Sequence, residues 1–294
     1  MKSKVYFTKE ITPESVIKMY ESVGKELNGR VAVKLHSGEK GNQNFMRPEF
    51  WKPMIDRIGG TVVETNAAYQ GARNTTEKHR QLIEYHGWSK YFNVDLLDEE
   101  GPDIELEVKN GKQLKRNLLG KHLANYDSML VLAHFKGHPA GGYGGALKQL
   151  AIGCASADGK CNIHSAGFDI SRDILKNHRA GLDEFTESMA EAAGTVVDFF
   201  KGNIVYINVM KNLSVDCDCC AIAEDPCMKD IGILSSTDPV AIDQACMDLI
   251  LAAKDDPGQQ HFIERVESRH GMHTIETAAE IGYGSREYEL IKID

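Results

Sequence analysis

Two β-rich runs, VAVKLH at 31–36 and TVVETN at 61–66, flank a helix-like segment from Pro48 to Ile58 and a Gly59-Gly60 break. Strand, helix and strand in that order make a βαβ unit, whose crossover lays the two strands parallel in one sheet. A third run, SMLVLAH at 128–134, is apolar almost throughout, which suits a parallel strand covered on both faces. The expected fold is therefore α/β, with a parallel-rich, doubly wound sheet. Ligands of such sheets sit at the carboxyl ends of the strands, where loops run into helices.

Further elements follow from local pattern. Helix-like stretches cover Thr75–Tyr85 and Glu184–Phe200, a polar hairpin covers Ile104–Leu119, and NIVYINVM (203–210) and DIGILSS (230–236) read as strands. Asp238 and Pro239 take the N-cap and first position of the helix that follows, since Asp accepts from orphan amides and Pro loses nothing there. The 294 residues allow one α/β body with a second lobe. We divide them into an N-terminal βαβ lobe at 1–125 and a lobe at 126–294 carrying a glycine loop and a cysteine loop, with a cleft between.

Charge narrows the partners. With 43 acidic against 34 basic side chains the formal charge is −9, which repels nucleic acid and gives anionic membranes no general attraction. No apolar run reaches signal-peptide or membrane-spanning length, so a cytoplasmic location is expected. Seven cysteines, an odd number, then argue for thiols, metal or catalysis over a disulfide framework.

The segment HFKGHPAGGYGGALKQLAIGCASADGKCNIH (134–164) follows the third strand directly. It sets His134, Lys136 and His138 before four glycines, among them Gly144 and Gly145, and then Lys148. Glycines at that density let backbone amides approach a ligand, and amides opening a helix favour an anion. The same glycines could equally serve tight turns and close packing. The histidines suit acid–base work, although solvated or core imidazoles are also common.

Four cysteines, Cys217, Cys219, Cys220 and Cys227, fall within eleven residues. Grouped thiolates suit zinc, iron or an iron–sulfur cluster, although this spacing is neither a standard zinc nor a ferredoxin pattern. A redox thiol pair and inert buried cysteines stay open. Cys154 and Cys161 could join from the glycine loop, whereas Cys246 lies in the apolar pattern of a helix. At the amino-terminal strand ends stand Lys34, His36, Glu39, Asn42 and Asn44, then Asn66, Tyr69 and Arg73, of which Arg73 could grip an anion bidentately.

Read together, VAVKLHSGEKGNQNFMRPEF, TNAAYQGAR, the glycine segment, CDC with DIGILSSTDPVAIDQA, and EIGYGSREYEL resemble the DUF362 family along nearly the whole chain. Many relatives carry two ferredoxin-type cysteine motifs after the segment matching GKCNIH. Here residues 165–183 contain no cysteine, so that cluster does not carry over, and a short surface connection is expected instead. A more distant likeness is to lactate racemase, in which a Lys stands ten residues after a His, as Lys148 does after His138. That resemblance implies histidines exchanging a proton with a 2-hydroxy acid and a lysine-tethered nickel cofactor.

The favoured reading is a metal-dependent enzyme on a small anionic substrate. His36, His134 and His138 would be its acid–base groups. Lys34, Asn66, Tyr69, Arg73, Lys136, Gly144, Gly145 and Lys148 would hold the substrate, and Cys217, Cys219, Cys220 and Cys227 the metal. A non-catalytic metal or iron–sulfur carrier with a redox partner protein, and a plain small-molecule binding module, are the alternatives.

Overall fold

The structure is a computed structural model that describes residues 2–173 and 179–293. The two amino-terminal β-runs form β2 (Val31–Lys34) and β3 (Thr61–Glu64), joined by α2 (Pro48–Ile58). They pair in parallel, and β2 pairs in parallel with β7 (Ser128–His134) on its other side. The expected βαβ unit and the buried central strand are thus both present. Upstream lie β1 (Ser3–Thr8) and α1 (Pro13–Val23). After β3 come α3 (Thr76–Tyr85), β4 (Asp95–Leu96), and β5 (Ile104–Glu107) with β6 (Arg116–Leu119), which form the expected hairpin.

Beyond β7 the chain makes a tight hairpin, β8 (Lys136–His138) with β9 (Gly142–Gly144), then α4 (Ala146–Cys154) and α5 (Ala157–His164). Then follow α6 (Leu182–Phe199), β10 (Ile204–Met210), β11 (Gly232–Ser236), α7 (Pro239–Ala252), α8 (Gln259–Glu267), α9 (Gly271–Glu280) and β12 (Tyr288–Lys292). The main sheet has eight strands in the order β12-β1-β11-β10-β7-β2-β3-β4. Only β11 runs against its neighbours. The sheet takes strands from both sides of residue 125.

Alternation along β7 explains why its whole length is apolar. Met129, Val131 and Ala133 join a core shared with Leu147 and Leu150 of α4, Met189 of α6 and Ile242 of α7. Leu130 and Leu132 point the other way, into a core with Met19 of α1 and Trp51 and Met54 of α2. Successive residues of a strand face opposite sides, so a sheet with helices on both faces needs apolar side chains at every position. Asp238 caps α7 as expected, its Oδ1 accepting from the amides of Val240 and Ala241 at 2.9 Å each. A cap of this kind contributes about 1 kcal/mol.

The described part of 165–181 is turn and irregular chain, most of it exposed, with Phe168 80% exposed, and residues 182–183 already open α6. Residues 174–178 of that connection lie outside the described residues. No helix among the described residues is long and apolar enough to cross a membrane.

Candidate functional site

Because β2, β3 and β7 are adjacent and parallel, their carboxyl ends bring Lys34, Glu64 and His134 to one edge of the sheet. Against that edge lies a cleft of about 260 Å³, lined by Lys34, His36, Glu64, Tyr69, Arg73, His138, Lys148, Gln149, Lys160, His164 and Cys219 among others. The loops that follow β2, β3 and β7 therefore share one cavity, and Cys219 enters it from the loop after β10.

Its floor is an ion network. Lys34 Nζ lies 2.5 Å from Glu64 Oε2, and both side chains are at most 2% exposed. Glu64 Oε1 accepts from the Ser37 amide at 2.8 Å and the Ser37 hydroxyl at 2.9 Å, with Arg73 Nη1 at 3.9 Å. Burial would raise the Glu64 carboxyl, but Lys34, His36 and Arg73 hold it well below its usual range. Arg73 also meets Glu39 at 3.3 Å and donates to the Tyr69 hydroxyl at 2.7 Å. The guanidinium expected to grip a substrate is thus already engaged by carboxylates.

The cysteine loop is held over the cleft by partners from two other loops. Asn42 Nδ2 donates to the carbonyls of Cys217 and Cys220 at 3.2 and 2.9 Å, and Asn44 Nδ2 to that of Glu224 at 2.8 Å. On the other side the Gly137 amide donates to the Ser214 carbonyl at 2.8 Å. A Cβ at position 137 would stand 2.4 Å from the Val215 carbonyl oxygen, so only glycine lets the two loops approach this closely. That approach brings His138, Cys217 and Cys219 together, their ligand atoms all within 4.8 Å of one another.

A hydrogen bond from Cys219 holds the Cys217 thiol well below its ordinary range against the effect of burial, and Lys148 and Lys136 add to the lowering. Cys219, the donor, is raised correspondingly. Lys148 Nζ lies 4.0 Å from Cys217 Sγ. These groups could hold a soft metal, since thiolates suit zinc or iron. Cys220 is half-buried beside them. Cys227 stands apart, its Sγ donating to the Leu213 carbonyl at 3.3 Å, so the four thiols do not form one set. Cys154 and Cys246 are buried core thiols.

The imidazoles divide by what their nitrogens face. His138 Nδ1 accepts from the amides of Gly141 and Ala140 at 2.9 and 3.2 Å, which leaves the proton on Nε2, 3.7 Å from Cys219 Sγ. Burial and then the Lys148 charge push its pKa down to about 4, so the ring is neutral and presents a donor. A metal on Nε2 would demand the other tautomer and set Nδ1–H against two amide N–H groups. The thiolates therefore fit a metal and the imidazole, as placed, does not. His36 repeats the pattern: Nδ1 accepts from the Gly38 amide at 3.0 Å, and burial, then Arg73, hold its pKa well below the usual value.

His134 is removed from the cleft. Its Nδ1 meets Asp218 Oδ1 at 2.9 Å and its Nε2 the Lys211 carbonyl at 2.5 Å. Both ring nitrogens are thus engaged by groups of the fold. Lys136 completes this cluster on Asp218 at 2.8 Å. Asn66 is also engaged internally, with Thr76 at 3.0 Å and His79 at 3.2 Å. Gly144 lies in β9, and Gly145 abuts Asp243 of α7, whose carboxylate accepts from the amides of Ala146 and Leu147 at 2.8 and 3.0 Å.

Sequence reasoning missed Glu64, Lys160, Gln149 and His164 in the cleft, and Asp243 as the clamp on α4. Glu64 had a signal, a carboxylate ending an otherwise apolar strand. The others depend on contacts between distant segments.

A family model described as a domain of unknown function, DUF362, matches residues 31–248. No curated protein matches the sequence. Among solved structures, the lactate racemase apoprotein from Thermoanaerobacterium thermosaccharolyticum is similar at 12% identity and a TM-score of 0.44, covering 71% of this chain and 51% of that one. A structural-genomics target from Thermotoga maritima is similar at 11% identity and a TM-score of 0.41, covering 93% of this chain and 59% of that one. The chain thus spans little more than half the length of either neighbour.

Proposed function

The chain belongs to the DUF362 family, and from that premise we propose that it is an enzyme acting on a small anionic molecule, with a metal ion held by Cys217 and Cys219 at the cleft. The observation that supports this most is charge. Lys148 and Lys160 line the cavity, and among the described residues neither has a carboxylate within ion-pair distance. The neutral rings of His36 and His138 add hydrogen-bond donors, a complement for carboxylate or phosphate oxygens. Amines without carboxylate partners, together with the ring donors, suit an anion inside a protein whose net charge is negative. A metal would supply Lewis acidity beside that anion. A ferredoxin-type iron–sulfur cluster takes four thiolates, and Cys227 is committed elsewhere, so the proposal is a mononuclear site.

The bonds on His138 Nδ1 favour a second reading, a thiol centre without metal, in which Nε2–H stabilises a Cys217 or Cys219 thiolate. One experiment separates the readings. Protein purified without oxygen is analysed for metal by emission spectroscopy, and its melting temperature is followed with phosphate and with short mono- and dicarboxylates. Stoichiometric metal that is lost in Cys217→Ser and Cys219→Ser, with an anion-dependent rise in melting temperature, supports the metal enzyme. Anion stabilisation without metal moves the assignment to the thiol centre. Metal without any response to anions points to a carrier, and the absence of both metal and anion response removes the proposal.

A further inference from the structure

Lys160 differs from the other amines of the site. Lys34 is paired with Glu64, Lys136 with Asp218, and Lys148 faces the Cys217 sulfur. Lys160, in the first turns of α5, is 9% exposed and lines the cleft. Its Nζ donates to Thr65 Oγ1 at 2.7 Å and to the Ala155 carbonyl at 2.6 Å. The Thr65 hydroxyl spends its own proton on the Gly153 carbonyl at 3.0 Å, so toward Lys160 it is an acceptor only. Both partners are neutral oxygens.

That arrangement satisfies a neutral amine completely. Two N–H bonds go to two acceptors, Cε occupies a third direction, and the lone pair is left the fourth. An ammonium here would carry a third proton without a carboxylate to receive it. We infer that Lys160 is a nucleophile that condenses with the carbonyl of a small oxo-carboxylate in the cleft, forming an imine. The inference rests on the reading of the cleft as an anion site and adds a carbonyl group to the ligand. The nitrogen lone pair attacks the carbonyl carbon and gives a carbinolamine. Loss of the former carbonyl oxygen as water, carrying both amine protons, then leaves the C=N bond. No oxidant or second substrate is needed.

Burial, working against Asp98 and reinforced by the Lys34 charge, lowers the Lys160 pKa to about 8, so a sizeable fraction of the amine is unprotonated near neutral pH. A desolvated lysine beside another cation is a recognised way to make this nucleophile. The nearby positive charges would hold the carboxylate of the same ligand.

The test is reductive trapping on the full chain. Protein is incubated with pyruvate, the smallest 2-oxo carboxylate, and with acetone as a neutral carbonyl, each with borohydride, and read by intact mass and peptide mapping. The expected result is one pyruvate-derived adduct on Lys160, little from acetone, and loss of the adduct in Lys160→Arg and Lys160→Met variants that keep the wild-type circular dichroism. An adduct on Lys148 or Lys34, or none at all, overturns the inference. Oxamate, of pyruvate's shape but with an amide carbonyl that does not condense, reads anion binding separately through the melting temperature. Oxamate stabilisation without trapping sinks the imine and leaves the anion cleft standing. Failure of both removes both.

Discussion

Replacing Glu64 by Gln tests the ion network under the cleft. The side chain keeps its shape and loses its charge. Gln has one carbonyl oxygen and one NH₂, whereas Glu64 must accept at both ends, from Lys34 at 2.5 Å and from Ser37 at 2.8 and 2.9 Å. Whichever way the amide turns, one end sets donor against donor. Lys34 is then left 1% exposed without a counter-charge. Breaking a buried pair by removing one partner costs about 3–5 kcal/mol. At about 2 °C per kcal/mol for a chain of this size, the melting temperature should fall by roughly 6–10 °C. Urea unfolding and thermal melts at pH 7 measure this. The pH dependence supplies a sign. The Glu64 pKa is held well below its ordinary value of 4.5, so the group contributes its stability above that value and loses it as the pH falls through the folded one. The gap between wild type and variant should be constant from neutral pH to about 5 and close on acidification. A loss under about 1 kcal/mol, the worth of an exposed pair, with no pH dependence, would refute a buried, ionised Glu64.

Three other outcomes are expected. Asp243 has a pKa raised to about 6, chiefly by burial and against its bonds from Leu147, Asn208, Ala146 and Tyr143; its contribution is full below the unfolded value and lost as pH rises through 6, so wild type should gain stability over Asp243→Asn in melts taken from pH 7 down to 4. Gly145→Ala would set a Cβ 2.4 Å from Asp243 Oδ1 and should cost about 1–3 kcal/mol. Gly144→Ala meets nothing nearer than Lys148 Cδ at 3.5 Å and should be neutral or stabilise by up to about 1 kcal/mol in the same urea titration. Cys227→Ser should leave metal content unchanged by emission spectroscopy, because Cys227 Sγ is bonded to the Leu213 carbonyl; loss of metal there would return the site to a four-thiol set.

Elements whose burial is written in a local pattern were legible in the sequence. The apolar run of β7, the βαβ unit before it, the 104–119 hairpin and the Asp238 cap each depend on neighbours within a few residues. β1 and β12 were not legible, because each owes its place to a partner across nearly the whole chain, Val5 opposite Leu290. The site divides in the same way. Strand ends marked Lys34, His36, Tyr69, Arg73, His138 and Lys148 as cleft residues, since topology alone delivers them there. Spacing could not say that His134 is fastened to Asp218 and Lys211, 84 and 77 residues away, or that Cys227 is drawn back beside Leu213 while Cys217 and Cys219 go forward.

One part of the chemistry was local after all. His36 stands two residues before Gly38, whose φ of 87° turns the chain so that its amide meets His36 Nδ1. His138 precedes a Pro-Ala-Gly-Gly turn whose amides at 140 and 141 meet its Nδ1. In both cases a tight turn directly after the histidine returns backbone N–H groups to the near ring nitrogen and puts the proton on the far one. An imidazole held that way is a poor base and a poor metal ligand at Nε2, but a good neutral donor. Two such rings beside Lys148 and Lys160, which have no carboxylate partner, favour an occupant rich in acceptor oxygens.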